Sequence, residues 1–319
     1  MEAALRPCRA WYYACVSWSE HRLHAWLAKR PKPRSLRGSV GHDAAVLGAC
    51  SRRRAVCVDQ TIEGVHFTSA VSPRSIATKA VGRALSDLAA TAARPEQILL
   101  SLSAPKSKSD AWLRALIQAA SERAAQFGAE LVAGDLACAP GGVHLSVTAL
   151  GSLTTEGRAP GRDRARKGQL VLLTGPTGGS IRGRHLKVEP RVEEGQWLYA
   201  NGATALMDVS DGLALDLSRV AAQSDAGIVL ETVPIHRDAK WLARKDGRSA
   251  RLHALTDGED HELIATIDRK SWHAMEARAR ARFPALLCVG RVVERGGLQV
   301  LSESGELDPW TGAGGWIHG

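Results

Sequence analysis

The segment Ala205-Leu206-Met207-Asp208-Val209-Ser210-Asp211-Gly212-Leu213 constrains the fold of this chain more than any other. An apolar run gives way to two carboxylates three positions apart, with a hydroxyl between them and a glycine behind, and then to a helix-like stretch, Ala214 to Ala222. That order reads as lead-in, turn and helix, a step of a mixed α/β chain. Nothing in the turn buries apolar surface. Oxygen ligands packed beside a glycine are what a hard cation and its phosphate partner require, although Asp, Ser and Gly also make ordinary turns.

Four more acidic positions recur along the chain. Ala55-Val56-Cys57-Val58 reads as a buried strand ending on Asp59, and Leu131-Val132-Ala133 as another ending on Gly134-Asp135. Gly41-His42-Asp43-Ala44-Ala45 precedes a short apolar run, and Asp87 sits in the helical stretch Leu85 to Ala90. Each alone is compatible with a turn former or a solvated helix residue. Five such carboxylate sites, most of them at element ends, are harder to dismiss together.

The rest of the chain reads as two α+β units. Ser72-Pro73 starts a helix, with Ser as N-cap and Pro at the first helical position, and Ile76, Ala77, Ala80, Val81, Ala84, Leu85 and Leu88 give it an apolar stripe. Gln97 to Ser103 reads as a strand, Asp110 to Phe127 as an amphipathic helix closed by Gly128, and the alternating Val143, Leu145, Val147 and Ala149 as a further strand. Gly157 to Gly168 is polar and arginine-rich, so the domain boundary is placed there. Gln169 to Thr174 opens the second unit, followed by strands near Gly227 to Thr232, Leu263 to Ile267, Leu286 to Val293 and Leu298 to Leu301, and a helix from Lys270 to Arg282. The expected organisation is an N-terminal extension (1–37), a first domain (38–156) and a C-terminal domain (157–319). The extension is basic and ends in Pro31-Lys32-Pro33; it is read as unstructured, with at most one helix from His21 to Ala28. Thr174-Gly175-Pro176-Thr177-Gly178-Gly179-Ser180 lacks the ending of a P-loop and reads as a glycine turn.

At 319 residues and 45% hydrophobic, the chain can bury two cores. Its six cysteines show no metal-ligand spacing and suit a reducing cytoplasm, the expected location. A net charge of +9 attracts anionic nucleotides as readily as nucleic acid. No aromatic-interleaved binding motif accompanies the arginines, so no nucleic-acid partner is expected. No apolar run approaches the ~18 residues of a membrane span.

In order and spacing, from Gly41 onward, the acidic segments resemble the thiamine-monophosphate kinase family, within the aminoimidazole ribonucleotide synthetase superfamily. The matching segments are Gly41-His42-Asp43-Ala44-Ala45, Asp59 with Glu63-Gly64-Val65-His66-Phe67, Ser86-Asp87-Leu88-Ala89-Ala90, Ala133-Gly134-Asp135-Leu136, Asp208 to Leu213, and Gly258-Glu259-Asp260-His261-Glu262-Leu263. The resemblance implies an α+β fold of two α/β-sandwich-like domains of the aminoimidazole ribonucleotide synthetase-like type. It implies ATP-dependent phosphorylation of thiamine monophosphate, with Mg2+, in a cytoplasmic homodimer. Asp43, Asp59, Asp87, Asp135, Asp208 and Asp211 would be metal ligands. Gly134, Arg162 and Ser210 would contact ATP, and His66, Glu259 and Trp316 would line the thiamine phosphate site. The transfer would need no catalytic base.

Departures from the family pattern keep alternatives open. His42 replaces the first Asp of an Asp-Asp pair, Gln60 stands where Thr is common, and Ala133 and Leu136 flank Gly134-Asp135 in place of Gly and Thr. A related ATP-using enzyme with another acceptor, and a non-catalytic nucleotide-binding protein, are the two competing readings.

Overall fold

The computed structural model describes residues 51–153, 159–302, 304–311 and 315, together with 22, 23, 26, 29–31, 33 and 34. Asp43, His42 and Trp316 lie outside the described residues. Two sheets are built, one of four strands from the first half of the chain and one of seven from the second. The first contains β1 (Arg54–Ile62), β2 (Ala93–Ala104), β3 (Glu130–Cys138) and β4 (His144–Leu153), in the order β1-β4-β2-β3. Helices α1 (Pro73–Ala90) and α2 (Asp110–Gln126) cover one face. The strand alternation explains why: Leu145, Val147 and Ala149 point inward to a core with Ile76, Leu85 and Leu116. The other face stays open, with Val56 and Val58 67% and 61% exposed.

Helix α1 begins as its sequence dictates. Ser72 Oγ accepts the Ser75 N–H at 3.2 Å, and Pro73 occupies the first turn. It is buried on more than one side, because its outer face also packs against α3 (Val192–Ala200) of the second half. The two backbones nearly touch there: a Cβ on Gly195 would lie 2.3 Å from the Ala89 carbonyl oxygen. Thus α1 is shared between both halves.

The second sheet runs β11-β10-β7-β9-β5-β8-β6, built from β5 (Leu170–Leu173), β6 (Ala203–Asp208), β7 (Gly227–Leu230), β8 (Leu263–Ile267), β9 (Leu287–Val293), β10 (Leu298–Leu301) and β11 (Leu307–Pro309). Most strands are apolar on both faces because helices or chain cover both sides. The helices are α3, α4 (Leu213–Gln223), α5 (Arg237–Asp246), α6 (Ala250–Thr256) and α7 (Arg269–Arg282). Trp310 packs into one of the cores, and Cys57, Cys138 and Cys288 are free thiols.

Three expectations change. Asp59 and Asp135 do not end their strands: β1 continues to Ile62 and β3 to Cys138, because the pairings with β4 and β2 run on past them. Near the N-terminus residues 22, 23 and 26 are helical, in line with the one helix expected from His21 to Ala28, and this part of the extension is packed rather than unstructured. Leu23 is fully buried in the first core, Trp26 packs against it, and Arg30 and Arg114 face the Trp26 ring at 5.3 and 5.7 Å. Finally, α3, α5 and α6 add helices that periodicity alone did not announce.

Candidate active site

One face of α1 carries Lys79, Arg83, Ser86 and Asp87, spaced so that the helical repeat aligns them toward the second half of the chain. The Lys79 side chain is fully buried. Its ammonium lies 2.6 Å from Glu259 Oε1 and donates to the His66 carbonyl at 2.7 Å. Burial lowers the Lys79 pKa, and the Glu259 charge opposes that shift. For Glu259, burial likewise disfavours the charge, but Lys79, helped by Arg83 and His261, outweighs it and holds the carboxyl below its usual range. Arg83 bridges Asp59 and Glu259, each at 3.4 Å.

Two loops from the edge of the second sheet meet this face. β6 and β8 pair antiparallel with Asp208 opposite Leu263, so the turns at 208–212 and 257–262 emerge side by side. Their backbones are stitched together: Glu259 N–H donates to the Ser210 carbonyl at 2.7 Å, and His261 N–H to that of Val209 at 2.8 Å. Gly258 permits the approach, since a Cβ there would sit 2.7 Å from the Ser210 carbonyl oxygen. Gly212, at φ +117°, turns the chain into α4. Asp216 of α4, wholly buried, accepts the N–H groups of Ser210 and Asp211 at 3.0 Å each and fixes the shape of the turn.

In the 257–262 loop, successive side chains brace different neighbours. Glu259 reaches α1. Asp260 accepts the Gly178 N–H and pairs with Arg184 at 2.7 Å. His261 meets Asp208 at 3.3 Å. Glu262 pairs with Arg191 at 2.6 Å and accepts the Thr174 hydroxyl. Glu259 and His261 hold left-handed backbone at φ +60° and +52°. That conformation costs on the order of 1–3 kcal/mol and persists only where surrounding contacts impose it. The glycine run 174–180 is a turn, as its sequence suggested. Its Gly178 and Gly179 N–H groups are taken by Asp260 and Asp257.

Together these elements line a cleft of about 580 Å3, onto which Asp59, Asp87, Asp208, Ser210, Asp211, His66 and Glu259 all open. Asp208 is buried, accepts the Ser86 hydroxyl at 2.8 Å and faces His261. Burial works against its charge, yet the bonds from His261 and Ser86 and the charge of Arg162 hold its carboxyl below the usual range. Asp87 feels the charges of His261 and Arg162 as well, but they do not prevail. Burial first, then the charges of Asp208 and Asp59, push it up to about 7. This concentration of negative charge is what a divalent cation would offset, and the donors are hard oxygens that suit Mg2+. Among the described residues no three acidic, His or Cys side chains already stand at metal-ligand spacing.

The other sequence candidates fall elsewhere. Asp135 pairs with Ser101 and points to the open face of the first sheet, on edge strand β3, while Asp59 points inward from the opposite edge. The two therefore cannot hold one ion within a single chain. Gly134 is fixed by packing, since a Cβ would lie 2.2 Å from the Leu100 carbonyl oxygen. Arg162 is exposed beside the cleft, in a single 3-10 turn against α4 and β6, near enough to act on Asp87 and Asp208. His66 Nδ1 accepts the Ile62 N–H at 3.0 Å, which secures the turn after β1. Asp211 pairs with Arg219. Lys79, Arg83, Asp216, Arg219 and His261 were not singled out from sequence, and the only signal for the first was a lysine placed within an apolar helical stripe.

Comparison with known proteins agrees with this geometry. The family "AIR synthase related protein, N-terminal domain" matches residues 41–153. A thiamine-monophosphate kinase of Rhodopirellula baltica is 36% identical over 279 residues, covering 81% of this chain and 84% of that protein. The crystal structure of thiamine-monophosphate kinase from Stenotrophomonas maltophilia K279a superposes with a TM-score of 0.76 at 31% identity, covering 90% of this chain and 96% of that one. The structure of AaThiL complexed with AMPPCP and TMP gives 0.73 at 26% identity, covering 86% and 90%. The fold is of the aminoimidazole ribonucleotide synthetase-like type, and the chain belongs to the thiamine-monophosphate kinase family.

Proposed function

We propose that this chain transfers the γ-phosphoryl group of ATP directly to the phosphate of thiamine monophosphate, giving thiamine diphosphate and ADP. The observation that carries the reading is the convergence of Asp59, Asp87, Asp208 and Asp211, from both halves of the chain, on one cleft. Family membership and the AMPPCP- and TMP-bound relative support it.

The nucleophile is an oxygen of the acceptor's own phosphate, already ionised, so no side chain need remove a proton. The obstacle is repulsion between two polyanions and the charge held in line during transfer. Asp59, Asp87, Asp208 and Asp211 would hold Mg2+, whose positive charge would offset that repulsion. The chain's contribution is placement. Ser86 and His261 keep Asp208 charged and oriented, and Asp216 and Arg219 set the turn that presents Ser210 and Asp211. Arg162 stands where a cation can meet phosphate oxygens. His66 and Glu259 lie at the end of the cleft assigned to the acceptor.

Asp135 and Gly134 would join a nucleotide site only across a dimer formed on the open face of the first sheet. The exposed Val56 and Val58 on that face support such a pairing. The test of the function is ADP release measured with thiamine monophosphate, with thiamine and without acceptor. Release dependent on thiamine monophosphate supports the proposal. Release in the other two conditions at the same rate would replace it with another acceptor or simple hydrolysis.

A further inference from the structure

We propose that Lys79 is a positioning residue for the acceptor end of the cleft, its one ammonium holding the Glu259 carboxylate and the His66 carbonyl at a fixed separation. The inference rests on the reading of this cleft as a phosphoryl-transfer site whose acceptor lies near His66 and Glu259.

A lysine ammonium has three donors, and here it meets three acceptors: Glu259 Oε1 at 2.6 Å, Glu259 Oε2 at 2.8 Å and the His66 carbonyl at 2.7 Å. The side chain is wholly buried, so water cannot substitute for any of them. The two groups it joins belong to segments 193 residues apart, the turn after β1 and the loop before β8, counting from His66 to Glu259 (259 − 66). Glu259 is also held at φ +60°, a conformation its sequence does not favour, and the carboxylate bond to Lys79 works with the Glu259 N–H to Ser210 to impose it. Both oxygens of Glu259 are thereby engaged, one of them also by Arg83. Glu259 therefore acts as a strut that shapes the acceptor wall, and Lys79 sets where that strut stands.

The test compares wild type, Lys79→Met, Lys79→Arg and the double variant Lys79→Met/Glu259→Gln. Amide hydrogen exchange is read at 62–67 and 257–262, and KM is measured separately for thiamine monophosphate and ATP. In Lys79→Met, exchange should rise in both segments together. KM for thiamine monophosphate should rise about tenfold, the scale of a misplaced positioning group, with KM for ATP within about twofold. Lys79→Arg, which keeps the charge, should recover part of the loss. If Lys79→Met does not fold, the double variant carries the same readouts without an unpaired buried carboxylate. Unchanged exchange in either segment, an unchanged acceptor KM, or equal rises in both KM values would overturn the proposal. A wild-type protein that does not phosphorylate thiamine monophosphate would refute the functional reading, and the exchange result would still decide the role of Lys79.

Discussion

Asp208 and Asp87 lie within one charge cluster but are treated differently by their surroundings. Asp208 is hydrogen-bonded by Ser86 and His261 and stays ionised, whereas burial and its neighbours push Asp87 up to about 7. Changing Asp208 to Asn removes a negative charge from the cleft while keeping the shape, so turnover should fall by about a hundredfold or more, with the thermal midpoint little changed. Near-normal turnover would show that the residue only shapes the turn. For Asp87, a raised carboxyl pKa means that its proton stabilises the metal-free fold at low pH and that this contribution is lost as pH rises through about 7. In the proposed site Asp87 would hold the cation, and the same proton would compete with it. The Mg2+ concentration giving half-maximal rate should therefore climb about tenfold per pH unit below 7, and in Asp87→Asn this slope should flatten. Asp208, Ser210 and Asp211 were legible because they stand in one run with a glycine. Lys79 and Arg83 were not, because their partner Glu259 is 180 and 176 positions away.

At the scale of elements, the site is two antiparallel strand ends whose loops share backbone hydrogen bonds. Gly258→Ala places a Cβ 2.7 Å from the Ser210 carbonyl oxygen, and that oxygen is backbone and cannot swing aside. The variant should lose about 1–3 kcal/mol in chemical denaturation and lose turnover as well. Stability within 0.5 kcal/mol of wild type, roughly the spread of neutral surface changes, would mean that the loops are not packed as described. The strands β4, β8 and β10 and helices α1, α2 and α7 were legible from alternation, caps and glycine stops. Helix α5 was not, because Ala239 is its one buried residue and no apolar stripe marks it. Asp59 and Asp135 were placed at strand ends because a carboxylate ordinarily stops a strand. Here one opens on a cleft and the other on an uncovered face, so each strand can run on past its carboxylate.

For the whole molecule, the open face of the first sheet bears on assembly. Val56 and Val58 project from it, and Asp135 shares it. Light scattering at micromolar concentration should give about twice the chain mass of 34.1 kDa, and Val58→Glu should shift it toward the monomer. A wild-type monomer would contradict assembly through this face. The two sheets, the α1 helix between them and the loops at the edge of the second sheet converge on one cleft rich in carboxylates. Binding of ATP there should need a cation. Calorimetric titration with a non-hydrolysable ATP analogue is therefore the most direct test: tight binding with Mg2+ and little with EDTA is the predicted result, and equal affinity in the two conditions would contradict it.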